Sequence, residues 1–208
     1  MTLTLQMFKE MIAAAGEAIR AEEKRFSELD AAAGGDGDHG TAIVTAFQAM
    51  EKAEGADFKS YLKSLSETLQ NEACGSTSTL YGSWLQGMSD TAPAGATELN
   101  AATLAKVFNG GLEELGYVTP ARIGGKTLMD ALIPATEALL AAHSQGIVTM
   151  FEWAAAAAEQ GAEATCEMRA KFGRAKNLGE RSIGPRDAGA ASMACIFASF
   201  AKSIKAAC

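Results

Sequence analysis

Four stretches of this chain repeat one spacing of apolar residues, and that spacing belongs to α-helices. Phe8, Met11, Ile12, Ala15 and Ile19 fall at i, i+3, i+4, i+7 and i+11, along one helix face. Phe58, Tyr61, Leu62, Leu65 and Leu69 repeat it behind Asp57, a side chain suited to capping a helix N-terminus. It returns at Leu128, Ala131, Leu132, Ala135 and Leu139, and again at Met193, Ile196, Phe197, Phe200 and Ile204. Weaker helical patterns occupy 40–54, 78–90, 97–116 and 147–170, the last rich in alanine. No β-branched run alternates in strict period two, and the best strand candidate, Tyr117–Val118–Thr119, is very short. The pattern predicts an all-α chain, a bundle of about eight helices with no sheet.

Composition bounds what such a bundle can be. A chain of 208 residues, 48% apolar and 21% charged, is long enough to bury its own core and is read as one domain over 1–208. Lys and Arg number 18 against 25 Asp and Glu, a net charge of −7. That balance excludes partners held by clustered positive charge, nucleic acid polymers and anionic membranes among them. Cys74, Cys166, Cys195 and Cys208 form no CxxC pair, so neither a disulfide framework nor a zinc site is indicated. Met1 to Met11 has no basic segment followed by an apolar run, and Ala188–Ala201 is too short to span a bilayer. The expectation is a soluble cytoplasmic domain.

The unusual chemistry lies between the helices. Loop one runs from Asp30 through Gly35-Asp36-Gly37-Asp38-His39-Gly40; glycines allow turns that aim several carboxylates at one point. Converging carboxylates repel, and Mg²⁺, which takes a few carboxylates and completes its shell with phosphates and water, is a common remedy. The alternative is an Asp/Gly turn followed by a helix cap. An EF-hand is excluded, because its twelfth position, counted from Asp36, is Phe47. Loop two, Cys74-Gly75-Ser76-Thr77-Ser78-Thr79, opens a helix and suits either an anion or an ordinary Ser/Thr cap. Loop three, Arg122 to Thr127, contains Gly-Gly-Lys-Thr but is no P-loop, since Pro120 stands where the first glycine belongs. Lys126 reads there as a solvated charge in a first helical turn. Loop four, Phe172 to Gly189, with Lys171 just before it, gathers Lys171, Arg174, Lys176, Arg181 and Arg186 against Glu180 and Asp187. It suits a bound anion, or arginines capping helix C-termini. In an up-and-down bundle alternate connections share one end, so the four loops are expected to form a single rim. His39 is the one histidine expected at that rim, and His143, ending an apolar helix, reads as structural.

Leu29-Asp30 with GDGDHG, TLYG at 79–82, GKTLMDALIPA at 125–135 and GAEATCEMRAKFGRAKNLGERSIGPRDAGAAS at 161–192 together resemble the nucleotide-binding L subunit of dihydroxyacetone kinases, over essentially the whole chain. The resemblance implies a barrel-like bundle of antiparallel helices. It implies that Asp30, Asp36 and Asp38 hold two Mg²⁺ ions on the phosphates of ADP or ATP. His39, Gly40, Thr41 and Ala42 would lie along the nucleotide, Ser76 and Thr77 would cradle phosphate, and Leu128 would sit beside the adenine. Arg174 would reach the phosphates, with Asp187, Ala188 and Gly189 as the last contacting turn. The ketose would be bound by a histidine of a separate K-type partner subunit, so no catalytic residue is assigned on this chain. The phosphoryl donor would be exchangeable ATP, or retained ADP recharged by a phosphotransferase-system phosphohistidine protein.

The chain also departs from that pattern. Five residues, Ala31 to Gly35, separate the first two aspartates where the family has four, which raises the question of Asp30's reach. Thr77-Ser78 replaces Ser-Gly and is expected to narrow the room for phosphate. Gly124-Gly125-Lys126-Thr127 replaces Gly-Asp-Lys-Thr, and Asp187-Ala188-Gly189 replaces Asp-Pro-Gly. These changes leave a regulatory, nucleotide-sensing module as the alternative to a kinase subunit, and leave the ketose and any homodimer open.

Overall fold

A computed structural model describes residues 1–73 and 75–207; Cys74, placed by its sequence position at the head of loop two, and Cys208 lie outside them. Nine α-helices are present among the described residues: α1 Leu5–Ala21, α2 Glu23–Ala32, α3 His39–Met50, α4 Phe58–Glu72, α5 Gly75–Thr91, α6 Ala101–Val118, α7 Met129–Ala142, α8 Ile147–Ala164 and α9 Ala188–Ala206. Every stretch with helical periodicity contains a helix, although 51–54, 97–100 and 165–170 at the ends of the weaker stretches lie outside the α-helices, and the chain is all-α as expected. The capping of α4 by Asp57 is a full capping box: Ser60 N donates to Asp57 Oδ1 at 2.7 Å, and Ser60 Oγ accepts from Asp57 N.

Three expectations need correction. Helix α2 is additional to the expected set: only Phe26 of its residues is buried, so it shows no apolar periodicity. Tyr117 and Val118 form no strand: they are the last helical residues of α6, and Thr119 alone is extended. A minimal sheet does exist, β1 Leu3–Thr4 pairing antiparallel with β2 Glu98–Leu99, too short to leave any alternation in the sequence.

Packing follows chain order. Each helix from α3 to α9 lies against the next, and α1 closes the sequence of neighbours by contacting both α9 and α3. The interior is aromatic: Phe108 meets Trp84, Phe151, Phe197 and Phe200 with ring centroids 5.7–6.4 Å apart, mostly edge to face. Phe8 extends this contact to Phe58 and Tyr61 of α4. Helices approach closely at glycines. A Cβ on Gly110 would strike the Thr91 side chain and lie 2.9 Å from Gly87 O, so α5 and α6 pack backbone against backbone there.

The two ends of the molecule differ. At one, the chain is stitched by backbone bonds: β1 to β2, Leu5 N to Thr97 O at 2.8 Å, and Phe58 N to Ala96 O at 2.9 Å. At the other, the connections α2–α3, α6–α7 and α8–α9 and the first turn of α5 surround an open cavity. No helix among the described residues is long and apolar enough to cross a membrane. Replacing Gly110 with Val should overpack the α5–α6 crossing by about 2–3 kcal/mol, seen as a lower urea midpoint with an unchanged m-value.

Candidate functional site

The cavity holds about 500 Å³ and is lined from three connections and from the first turn of α5, which belongs to loop two, a volume within the common range for small-ligand sites. The single rim expected from alternate loops is therefore present.

Asp30 does not begin a loop; it sits in the last turns of α2, and its side chain organises the glycine-rich turn beyond that helix. Its Oδ2 accepts from Gly37 N at 2.8 Å and its backbone oxygen accepts from Gly35 N at 2.8 Å. Gly34 and Gly37 reverse the chain at φ +87° and +77°, a region open to glycine and costly for other residues. At Gly35 any Cβ would collide with the Asp30 carboxylate. Because helix and glycines absorb the longer segment, one oxygen each of Asp30, Asp36 and Asp38 lie within 4.8 Å of one another. Asp38 occupies the N-cap position of α3 without capping it through its side chain, so that carboxylate is not used as a helix cap.

Arg174 enters from loop four, whose Leu178 rests against Gly34 of loop one, and ion-pairs with Asp36. Of the five cations in or beside loop four, it is the one in the cavity lining. Arg186 instead faces α8, paired with Glu159 and Glu163, and so is no rim cation. Burial pushes its pKa down, but the two glutamates outweigh that and hold it above the ordinary value.

Gly75, Ser76 and Thr77 bring the first turn of α5 to the cavity. Ser78 does not narrow it: the side chain is buried, outside the lining, with its hydroxyl donating to Gly75 O at 2.9 Å. Leu128, Ala188, Gly189 and Ala42 add the apolar part of the wall. Ala188, where the family has Pro, is the first residue of α9, a position either residue fills without cost to the helix. Gly125 fits for a local reason, since a Cβ there would lie 2.9 Å from Arg122 O and 3.1 Å from the Phe172 ring.

Two residues expected along a ligand fall outside the lining. Gly40 is where α3 packs on α2, a Cβ meeting Glu23 O, and Thr41 is exposed with its hydroxyl 3.1 Å from Glu23 Oε1. His39 does line the cavity. Its Nε2 is 2.9 Å from Ser192 Oγ, which also lies 3.1 Å from Tyr81 Oη and donates to Gly189 O at 3.0 Å. Burial lowers the His39 pKa against the opposing pull of Asp30, while burial raises that of the Tyr81 hydroxyl. His143 is exposed and outside the cavity lining, its Nδ1 2.7 Å from Leu140 O at the end of α7.

The reading of Lys126 as solvated is wrong. It is 2% exposed, its Nζ donating to Thr165 O at 2.6 Å and Pro185 O at 2.5 Å, and desolvation lowers its pKa. Asp130, which sequence reasoning overlooks, is equally buried and clamps loop three: its carboxylate accepts from Gly124 N at 2.5 Å and Thr127 N at 2.7 Å. Its one visible signal is an acid in the first turn of a mostly apolar helix. Asp187 caps α9 through Ala190 N at 2.8 Å, and its own N donates to Thr165 Oγ1 at 2.9 Å. Burial, with lesser push from Asp130 and Asp30, raises its pKa to about 7.

Fold and site thus define an all-α domain that gathers carboxylates, an arginine and helix N-termini around one cavity with polar and apolar walls. The chain belongs to the DAK2 domain family, whose model matches residues 33–202. It is 32% identical to the ADP-binding subunit DhaL of PEP-dependent dihydroxyacetone kinase 1 from Listeria innocua, over 88% of each chain. It is 35% identical to D-erythrulose kinase from Mycolicibacterium smegmatis, covering 87% of this chain but 32% of that longer protein. The crystal structure of the C. freundii dihydroxyacetone kinase in complex with AMP-PNP and Mg²⁺ has the same fold, with a TM-score of 0.75 at 24% identity over 93% of this chain and 33% of that one.

A raised Asp187 pKa has a definite sign: the folded protein holds a proton that the unfolded chain releases at lower pH. Asp187 therefore weakens stability progressively as pH rises from about 4 to about 7. Asp187→Asn, which still caps α9, should remove this dependence. Thermal midpoints measured from pH 4.5 to 8 should fall more steeply for the parent protein than for the variant.

Proposed function

We propose that this chain is the nucleotide-binding, phosphoryl-transferring subunit of a small-ketose kinase of the dihydroxyacetone type, acting as one domain over 1–208 in the cytoplasm. The observation that carries the proposal is the convergence of Asp30, Asp36 and Asp38 opposite Arg174 and the first turn of α5. Two unit charges at 4.8 Å repel by about 1 kcal/mol in water and about 3–4 at an effective dielectric of 20. Arg174 offsets one charge of three, which leaves a deficit that suits a divalent cation. An all-oxygen donor set with room for further ligands fits Mg²⁺. When bound, Mg²⁺ would neutralise nucleotide phosphate oxygens and make phosphoryl transfer easier.

The chain's own residues then have separable tasks. Asp30, Asp36 and Asp38 would hold the metal, one or two ions. Ser76 and Thr77 present the N-terminal end of α5 to phosphate, where helix dipole and amide groups favour an anion. Arg174 would turn its planar fork from Asp36 to a phosphate oxygen. Leu128, with Ala42, Ala188 and Gly189, provides an apolar bed suited to a base, and His39 is held beside it by Ser192. The names of the relatives support ADP or ATP as the nucleotide and dihydroxyacetone or erythrulose as the class of acceptor. That relatives exist both at this length and as chains three times longer supports a separate K-type partner supplying the ketose site. Retained ADP recharged by a phosphohistidine protein is the mode suggested by the relatives described as PEP-dependent.

Titration calorimetry with ADP or ATP is the direct test. Binding should be present with Mg²⁺ and fall sharply when the metal is chelated. Asp36→Ala and Asp30→Ala should each weaken it by about 100-fold or more, since even outer-shell changes cost about 10–100-fold at metal sites. Nucleotide binding that ignores both Mg²⁺ and these substitutions would sink the proposal.

A further inference from the structure

Residues 166–184, between α8 and α9, carry Arg174 to the carboxylate cluster, yet this segment has almost no core of its own. Only Ala170 and Ser182 within it are buried. A segment with so few apolar contacts takes its orientation from its attachments. Leu178 rests against Gly34 of loop one and Phe172 against the core, and the hydrogen-bonded attachments form a narrow neck. Gly184 N donates to Cys166 O at 2.9 Å, and Ala170 N to Ser182 Oγ at 2.9 Å. Asp187 N reaches back to Thr165 Oγ1 at 2.9 Å. At the foot of the neck, the Lys126 ammonium bonds the carbonyls of Thr165 and Pro185 together, two residues far apart in sequence. Lys171 N to Gly125 O at 3.2 Å is a further tie to loop three.

Lys126 is expensive at this position on two counts. It is the one non-glycine residue with positive φ among the described residues, +60°, where backbone sterics favour glycine. Its charge is also taken out of water, which disfavours the ammonium. The two residues before it are glycines, so the local turn could be made without it. What glycine could not supply is the donor that joins both feet of the neck.

We propose that Lys126 is a positioning residue: it pins Thr165 to Pro185 and thereby sets where Arg174 meets the aspartate cluster and a bound nucleotide. The proposal rests on the nucleotide-binding reading above. Lys126 also lines the cavity, but its Nζ is bonded to the carbonyls of Thr165 and Pro185, so it acts through Arg174.

A double-mutant cycle on the Mg²⁺-dependent affinity for ADP separates positioning from a general structural role. Lys126→Gly relieves the backbone strain while removing the ammonium, and circular dichroism checks that it folds. It should weaken ADP binding by about tenfold or more. In the Arg174→Ala background, the same substitution should cost less than about twofold, because the residue it positions is already gone. Unchanged ADP affinity in Lys126→Gly, or losses that simply multiply in the double variant, would overturn the proposal. Should Lys126→Gly not fold, Lys126→Met, which keeps the length of the side chain and removes its donors, replaces it in the same cycle with the same outcomes. Failure of the parent protein to bind Mg²⁺–ADP would count against the nucleotide reading instead, and is measured in the same series.

Discussion

Three carboxylate oxygens within 4.8 Å of one another are unfavourable unless something offsets their charge, and the open end of this molecule is organised around that requirement. Asp30 is held by two backbone bonds from glycine-rich loop one, Asp36 is met by Arg174, and Asp38 is left out of helix capping. Asp30 and Asp36 are thus held in place by the groups they accept from, and the Asp38 carboxylate is not spent as a helix cap. The geometry is costly for an isolated loop and sensible for a cation site.

Helix order makes the assembly possible. Neighbours in sequence are neighbours in space, so alternate connections return to the same end, and four separate loops share one cavity. The opposite end is closed by short backbone pairings that involve no site residue. At the cavity end, the exposed segment carrying Arg174 is tied at its neck. Close crossings at glycines, as between α5 and α6, hold the helices near enough for these loops to meet.

Much of this is legible in the chain. Apolar periodicity locates eight of nine helices, and the motifs single out the aspartates, Arg174 and the capping Asp187. Helix α2 is invisible to it because a single buried phenylalanine makes no period. The departures from the family pattern read as disturbances of the site, and two prove local. Ser78 turns its hydroxyl to Gly75 O, and Gly125 makes way for the Phe172 ring. Lys126 and Asp130 escape sequence reasoning for one reason: whether a charge is solvated or buried depends on what packs over it, and residues 165–187 do that here.

The sequence by itself determined the all-α class, the stretches that form the bundle and the residue types able to hold a metal–polyphosphate. These follow from local rules: helical periodicity, capping, and the freedom of glycine at turns. The tertiary structure alone decided that Asp30 reaches the cluster across a longer loop, that Arg174 and not Arg186 faces the cavity, and that Lys126 is a buried tie. Those outcomes depend on distances between segments remote in the chain, which no local pattern encodes.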